Sequence, residues 1–315
     1  MELQTRVDIK KGETLIDYHA NLILLGSCFA ENIGDKLSYY KFRSSVNPFG
    51  ILFHAKAIET FLFMATQQEE YAEEDIFFYN EQWHSFDAHS SLSSPDKLEL
   101  LFNLNNGLIN AYQRLKSATH IIITLGTSWV YRLKQLDMIV ANCHKVPQKE
   151  FDKSLLSVDD NLKSLQTSVA LLKSVNPKVK IIFTVSPVRH IKDGSVENTV
   201  SKSNLLSAVY NITKSHEDLD YFPSYEIMMD ELRDYRFYKE DMIHPTSLAV
   251  DYIWQKFKDS WISEGSGQMM KNIEDIQKGM THKPFNPDSE AHKSFLQKLE
   301  VKKQDISANY PHIRF

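Results

Sequence analysis

The sequence predicts an α/β fold built on a central parallel sheet, and three observations carry that prediction. Short, nearly continuous apolar runs recur at residues 22–25, 121–125 and 179–185, as strands buried on both faces require. Between them lie longer stretches whose apolar residues repeat every three or four positions, the spacing of a helix with one buried face. The first run ends directly in Gly26-Ser27, a strand-to-turn junction. Strands that alternate with helices of this length need crossover connections, and crossovers join parallel neighbours.

Each element follows from its own pattern. Phe29, Ile33, Leu37 and Tyr40 place a helix on residues 30–40, and residues 55–65 give a second, with Asn47-Pro48-Phe49-Gly50 as the loop between them. Residues 67–95 mix acids, aromatics and serines without a period and read as an irregular insertion, closed by Ser94-Pro95-Asp96 as a helix start. Leu101, Phe102, Leu108, Ile109, Tyr112 and Leu115 mark a long helix from residue 98, which feeds the strand ending at Gly126. Residues 159–175 and 203–219 are helical by the same test, on either side of the run 179–185. Pro245 suits the first position of a last helix, 245–261, because its fixed φ and missing N–H cost nothing there. Residues 263–267 then form a linker, and the Lys- and Glu-rich stretches 269–280 and 288–304 form two further helices. The chain divides into an α/β domain, 1–262, and a helical C-terminal extension, 263–315.

Composition bounds the partners. With 315 residues, 42% of them hydrophobic and 24% charged, the chain has the make-up of an ordinary globular protein, which excludes a disordered or fibrous reading. A net charge of −5 and a pI near 6.2 give no electrostatic footprint for nucleic acid or anionic lipid. No apolar run approaches the ~20 residues that cross a bilayer. Residues 1–17 are charged and lack a basic segment followed by an apolar one, so a cytoplasmic location is expected. Cys28 and Cys143 are read as free thiols, since a large chain without export features has no need of a disulfide.

Two short motifs point to chemistry. Gly26-Ser27-Cys28-Phe29-Ala30 joins a strand to a helix, where the unpaired N–H groups and positive dipole of the helix start favour a thiolate and can stabilise an oxyanion. Cys28 is the candidate nucleophile. Ser27 takes that role if the turn is displaced by one residue, and Cys28 as a small packed side chain is the structural alternative. The second motif is Asp241-Met242-Ile243-His244-Pro245. A carboxylate three residues before a histidine can hold one ring nitrogen and leave the other as a base; alone, the pair could equally order a loop.

A nucleophile after the first strand with Asp-x-x-His before the last helix resembles the SGNH (GDSL-type) hydrolases. On that resemblance Gly26, Ser27 and Cys28 occupy the positions of Gly-Asp-Ser, which places Cys28 at the nucleophile. Gly50, with Asn47 in the same loop, falls at the oxyanion glycine. Gly126-Thr127-Ser128-Trp129 resembles the Gly-x-Asn-Asp block and puts Ser128 at the oxyanion asparagine, a departure because a hydroxyl is shorter than an amide. Asp241 and His244 match the last block.

More specifically, the chain resembles the GSCFA-domain family through Gly26 to Ala30 and also through Asn47-Pro48-Phe49-Gly50, Trp83-His84-Ser85-Phe86-Asp87, Ala141-Asn142-Cys143-His144-Lys145, Ser186-Pro187-Val188-Arg189-His190 and Phe222-Pro223-Ser224-Tyr225-Glu226. The resemblance implies a flavodoxin-like, three-layer SGNH-type fold, and an esterase or acyltransferase acting on a small-molecule or carbohydrate acyl ester or thioester with no cofactor. The competing class is a non-catalytic ligand- or carbohydrate-binding protein that keeps the fold, motivated by Ser128. Arg189 is a candidate contact for an anionic substrate group, or an internal ion-pair partner. His84 and His89 either line a pocket or decorate a loop. Cys143-His144 lacks the paired ligands of a zinc site, so a structural role is expected and no metal is assigned.

Overall fold

The computed structural model describes residues 4–315. Its centre is a five-stranded parallel sheet made of β1 (Asn21–Gly26), β2 (Arg43–Val46), β5 (His120–Leu125), β9 (Lys180–Val185) and β10 (Leu219–Tyr221), in the spatial order β2-β1-β5-β9-β10. Numbered along the sheet's own strands this is 2-1-3-4-5, the flavodoxin-like doubly wound order, whose direction reverses between β1 and β5. The register Leu24↔Ile122 and Ile122↔Ile182 aligns the three apolar runs found in the sequence.

Side chains alternate across a strand, and the three central strands sort into two cores accordingly. Ile23, Leu25, Ile121, Ile123, Ile181 and Phe183 face α2 (Ala55–Gln67), α3 (Lys97–Ser117), α4 (Val158–Val175) and α5 (Ser195–Ser215). Leu22, Leu24, Ile122 and Ile182 face α1 (Cys28–Tyr39) and α7 (Ser247–Trp261). The result is three layers. Beyond the single turn α6 (Ser224–Glu226), the C-terminal helices α8 (Gly267–Thr281) and α9 (Glu290–Asn309) add Ile273, Ile276, Leu299 and Ile306 to the core that holds Phe29 and Leu37 of α1. Among the described residues no helix is long and apolar enough to cross a membrane.

The structure corrects several boundaries. The insertion expected to be irregular contains a hairpin, β3 (Phe77–Tyr79) and β4 (Gln82–His84), whose two turn residues Asn80 and Glu81 have φ of 46° and 60°, as a two-residue hairpin turn requires. A second antiparallel sheet, β6 (Trp129–Leu133), β7 (Met138–Val140) and β8 (Phe151–Leu155), fills the span between β5 and α4 that the sequence left unassigned; its strands are too short for periodicity to register. Helix α5 begins at Ser195 and ends at Ser215, not over 203–219. Its first turns bury Asn198, Ser201 and Lys202, so the inward face is polar and gives no apolar stripe. The last helix of the α/β layer starts at Ser247, capped by Thr246 Oγ accepting from the Ala249 N–H at 3.3 Å; Pro245 instead bridges to Tyr238.

Candidate active site

The end of β1 is shaped by a glycine. Gly26 has φ of +125°, and a Cβ there would stand 2.0 Å from the Thr124 carbonyl oxygen, so only a glycine lets the end of β1 approach β5 as closely as it does at this junction. The Ser27 N–H then donates to Thr124 O at 2.9 Å, and Ser27 Oγ caps α1 by accepting from the Phe29 N–H at 3.3 Å. Ser27 is fully buried. Cys28, the first residue of α1, lines a cavity of about 700 Å³ at the carboxyl edge of the sheet, where the strand order reverses and doubly wound proteins bind ligands.

His244 lines the same cavity. Asp241 Oδ1 accepts from the N–H groups of Ile243 and His244 at 2.8 and 3.0 Å, and Oδ2 pairs with His244 Nδ1 at 2.7 Å. The tetrapeptide thus closes on itself, with the carboxylate fixing the Nδ1–H tautomer and leaving Nε2 free of Asp241. Hydrogen bonds from the His244 backbone, the His244 ring and the Ile243 backbone hold the Asp241 carboxyl well below the usual carboxylate range. Both side chains are close to half exposed, 43% and 44%, so the pair sits on the cavity rim.

Beneath the cavity lies a residue that the sequence reading missed. Lys202 is 1% exposed, and its ammonium donates to the carbonyls of Gly126 at 2.6 Å and Ser186 at 2.7 Å. It ties the ends of β5 and β9 together. Burial pushes its pKa down to about 7, against which the Cys28 thiol acts by raising it. Gly126 makes room for this junction: a Cβ there would meet Phe53 O at 3.0 Å, Ser27 Cβ at 3.2 Å and His190 Nε2 at 3.3 Å. His190 is kept neutral, pushed down to about 3 by burial and then by the charges of Lys202 and His244. Its Nε2 is buried without a partner.

The expectation of a lowered thiol pKa at Cys28 is corrected. Burial raises it above the usual thiol value and Glu31 adds to the rise, while Lys202 and the N–H groups of Cys28 and Phe29 pull it down by less. Desolvation therefore outweighs the helix start. Cys143 lines the same cavity and is pushed up to about 11 by burial.

The expected oxyanion donors are placed differently from the resemblance. The Gly50 N–H donates to Asn47 O at 2.8 Å, so it is spent on the turn. Gly50 has φ of +70°, and a Cβ would strike His89 Cβ at 2.3 Å. Ser128 is fully buried and outside the cavity lining; its N–H and Oγ donate to Ser201 Oγ (2.8 Å) and Ser201 O (2.9 Å), and Oγ accepts from Asn161 Nδ2 at 3.2 Å. It stitches the turn after β5 to α4 and α5. Asn47 Oδ1 accepts from the Gly26 N–H at 2.9 Å, while its Nδ2 is buried without an acceptor.

Arg189 lines the cavity, with one guanidinium nitrogen donating to Met242 O at 3.1 Å. His84 does not line it. Its ring bonds Ser93 Oγ at 2.6 Å and Tyr79 O at 3.0 Å and packs on His144, centroids 4.5 Å apart. His144 in turn donates from Nε2 to Ser85 O at 2.7 Å, and the Ala141 N–H donates to Phe86 O at 2.8 Å. Two of the sequence motifs are therefore each other's scaffold. Among the described residues no group of three His, Cys, Asp or Glu side chains is arranged to hold a metal ion.

Fold and site together define a doubly wound α/β protein with its candidate chemistry gathered at the carboxyl edge of the sheet. The chain belongs to the GSCFA family: that family's model matches residues 21–257, and the model of the GSCFA domain protein C-terminal domain matches residues 273–315. No curated protein matches the sequence. Solved structures similar to the chain include an acetyl esterase mutant with acetate ion (TM-score 0.37, 9% identity, 82% of this chain and 99% of that one). A carbohydrate esterase family 3 protein from Talaromyces cellulolyticus is similar at TM-score 0.37 and 9% identity over 81% of this chain and 99% of that one. An acetyl xylan esterase from the rumen bacterium Butyrivibrio proteoclasticus is similar at TM-score 0.37 and 10% identity over 78% of this chain and 65% of that one.

Proposed function

We propose that the protein is an esterase or acyltransferase that takes an acyl ester or thioester, small or carbohydrate-borne, onto Cys28. The observation that carries this is the sharing of one cavity by Cys28 and His244, with Asp241 fixed 2.7 Å from His244 Nδ1. His244 Nε2 removes the thiol proton as Cys28 Sγ bonds to the carbonyl carbon. Because burial keeps the resting thiol protonated, this transfer belongs to the attack itself. The negative charge on the carbonyl oxygen is met by the Cys28 N–H, the N–H groups of Phe29 and Ala30 being taken by Ser27. Collapse breaks the ester or thioester bond, and His244 returns its proton to the departing oxygen or sulfur. A water or an acceptor hydroxyl, deprotonated by His244, then attacks the Cys28 thioester and regenerates the thiol.

A second reading has an observation of its own. Gly50 and Ser128 stand where the SGNH resemblance puts two oxyanion donors, and both are spent on internal bonds, which favours a binding protein that keeps the architecture. Turnover of acetyl esters and acyl thioesters by the wild type, Cys28→Ala and Asp241→Asn decides between them. Hydrolysis abolished by Cys28→Ala and lowered about 10²-fold by Asp241→Asn, whose amide would favour the wrong ring tautomer, is the expected outcome. No turnover by the wild type favours the binding reading, and equal measurable rates in all three proteins overturn Cys28 as the acyl acceptor.

A further inference from the structure

We infer that the cavity beside Cys28 recognises an anionic substrate, one that carries a carboxylate or phosphate group beyond its acyl bond. The inference rests on the reading of Cys28 as the acyl acceptor. Lys145, Lys153, Arg189 and Lys192 line the cavity against a single carboxylate, Asp193. The histidines add nothing to this balance where it can be read: burial keeps His54 neutral, at about 4, and His190 neutral, at about 3. Asp241 on the rim and Glu31, whose charge raises the Cys28 thiol pKa, offset part of this, and the surroundings of Cys28 keep a positive excess of one in a chain whose net charge is −5.

The cations are not equivalent. Lys153 pairs with Asp193 and lies over the rings of Trp129 at 5.0 Å and Tyr131 at 5.2 Å, so it is fixed and largely neutralised. Arg189 is anchored by Met242 O and by the Tyr238 ring at 5.7 Å. Lys145 and Lys192 have no carboxylate within ion-pair distance among the described residues, yet the charge of Lys192 is felt at the Cys143 thiol on the cavity wall. Unmatched ammonium groups are donors, and the ligand group that answers them is an oxygen-rich anion.

Alkylation of Cys28 tests this without requiring turnover. Iodoacetate is anionic and iodoacetamide is neutral, so their rate ratio at Cys28, divided by the same ratio for the uncharged thiol 2-mercaptoethanol, reports the potential of the cavity and not the thiol's own ionisation. We expect that quotient to be at least about threefold in low salt and to fall toward one near 0.5 M salt, where screening reaches only a few ångström. The exposed pair Lys145→Glu and Lys192→Glu should bring it below one. Protection of Cys28 from iodoacetamide by inorganic phosphate but not succinate identifies a phosphate group, and the converse a carboxylate.

A quotient of one or less in low salt overturns the inference. Should Cys28 resist both reagents, calorimetric titration with phosphate and succinate decides, with saturable binding supporting the inference and no binding overturning it. A neutral quotient with ester turnover intact removes the anion and leaves the acyl chemistry standing. A high quotient with no turnover on any ester removes the acyl chemistry and leaves an anion-binding site.

Discussion

Replacing Lys202 with Met should change how the stability of the fold depends on pH. The native ammonium is buried and its pKa has fallen from 10.5 to about 7, so between those values the unfolded chain binds a proton that the folded chain does not. Stability then rises with pH across that window, and it is lost as the pH falls toward 7. At about 1.4 kcal/mol per pH unit the full displacement corresponds to about 5 kcal/mol, of which about 2 kcal/mol is recovered between pH 7 and pH 9. With an unfolding entropy of about 2 cal/mol/K per residue, a chain of 315 residues converts this to about 3 °C in Tm. Methionine carries no proton. It also leaves the carbonyls of Gly126 and Ser186 without their donor, which lowers Tm by a similar amount at every pH. Thermal unfolding of both proteins at pH 7, 8 and 9 should show the wild type gaining about 3 °C on the variant over that range. Parallel profiles would mean that Lys202 titrates near its solution value and that its burial costs nothing, which refutes the reasoning.

Two further outcomes follow from the same junction. The pH midpoint for alkylation of Cys28 by iodoacetamide should lie above that of an ordinary thiol and should move down in Glu31→Gln, because the variant loses a negative charge that raises the thiol pKa; a midpoint below the solution value, read by mass spectrometry of the labelled peptide, contradicts this. Gly26→Ala should destabilise the fold by roughly 3 kcal/mol or more, since its Cβ would overlap the Thr124 carbonyl and its φ of +125° is strained for any side chain; denaturant unfolding with an unchanged midpoint would show that the strand end can shift without penalty.

Much of the architecture was legible in the sequence for local reasons. β1, β5 and β9 are continuous apolar runs because both faces of the sheet are covered, and α1, α3 and α4 carry apolar residues on one side because only one side is. The Asp241-His244 turn was legible too, being a short-range device that adjacent residues complete, and the strand-to-helix junction at Gly26 to Cys28 was legible from the apolar run that ends there. What escaped depends on contacts between distant segments. Lys202 is spelled as one more polar residue on a polar helix, and only the meeting of α5 with the ends of β5 and β9 makes it a buried cation. Ser128 and Gly50 sit where the resemblance placed them along the chain, but their donors are taken by Ser201 and Asn47, partners that no alignment of short motifs reveals. The thiol pKa was misjudged for a related reason: the helix start is visible in the sequence, whereas the burial that opposes it is not.

The three-stranded sheet β6-β7-β8 gives the cavity Trp129, Tyr131, Val140 and Lys153, yet it is entirely contained in the span between β5 and α4 and pairs with no strand of the central sheet. Cys28, His244 and Lys202 come from other segments. Selection could therefore lengthen, shorten or recolour this one insertion, and so retune which molecule is admitted, while the nucleophile, its histidine and the buried lysine keep their positions. In a family built on this plan, diversity of substrate would be written largely between the third strand of the sheet and the following helix, while the nucleophile and its histidine stay fixed elsewhere around the cavity.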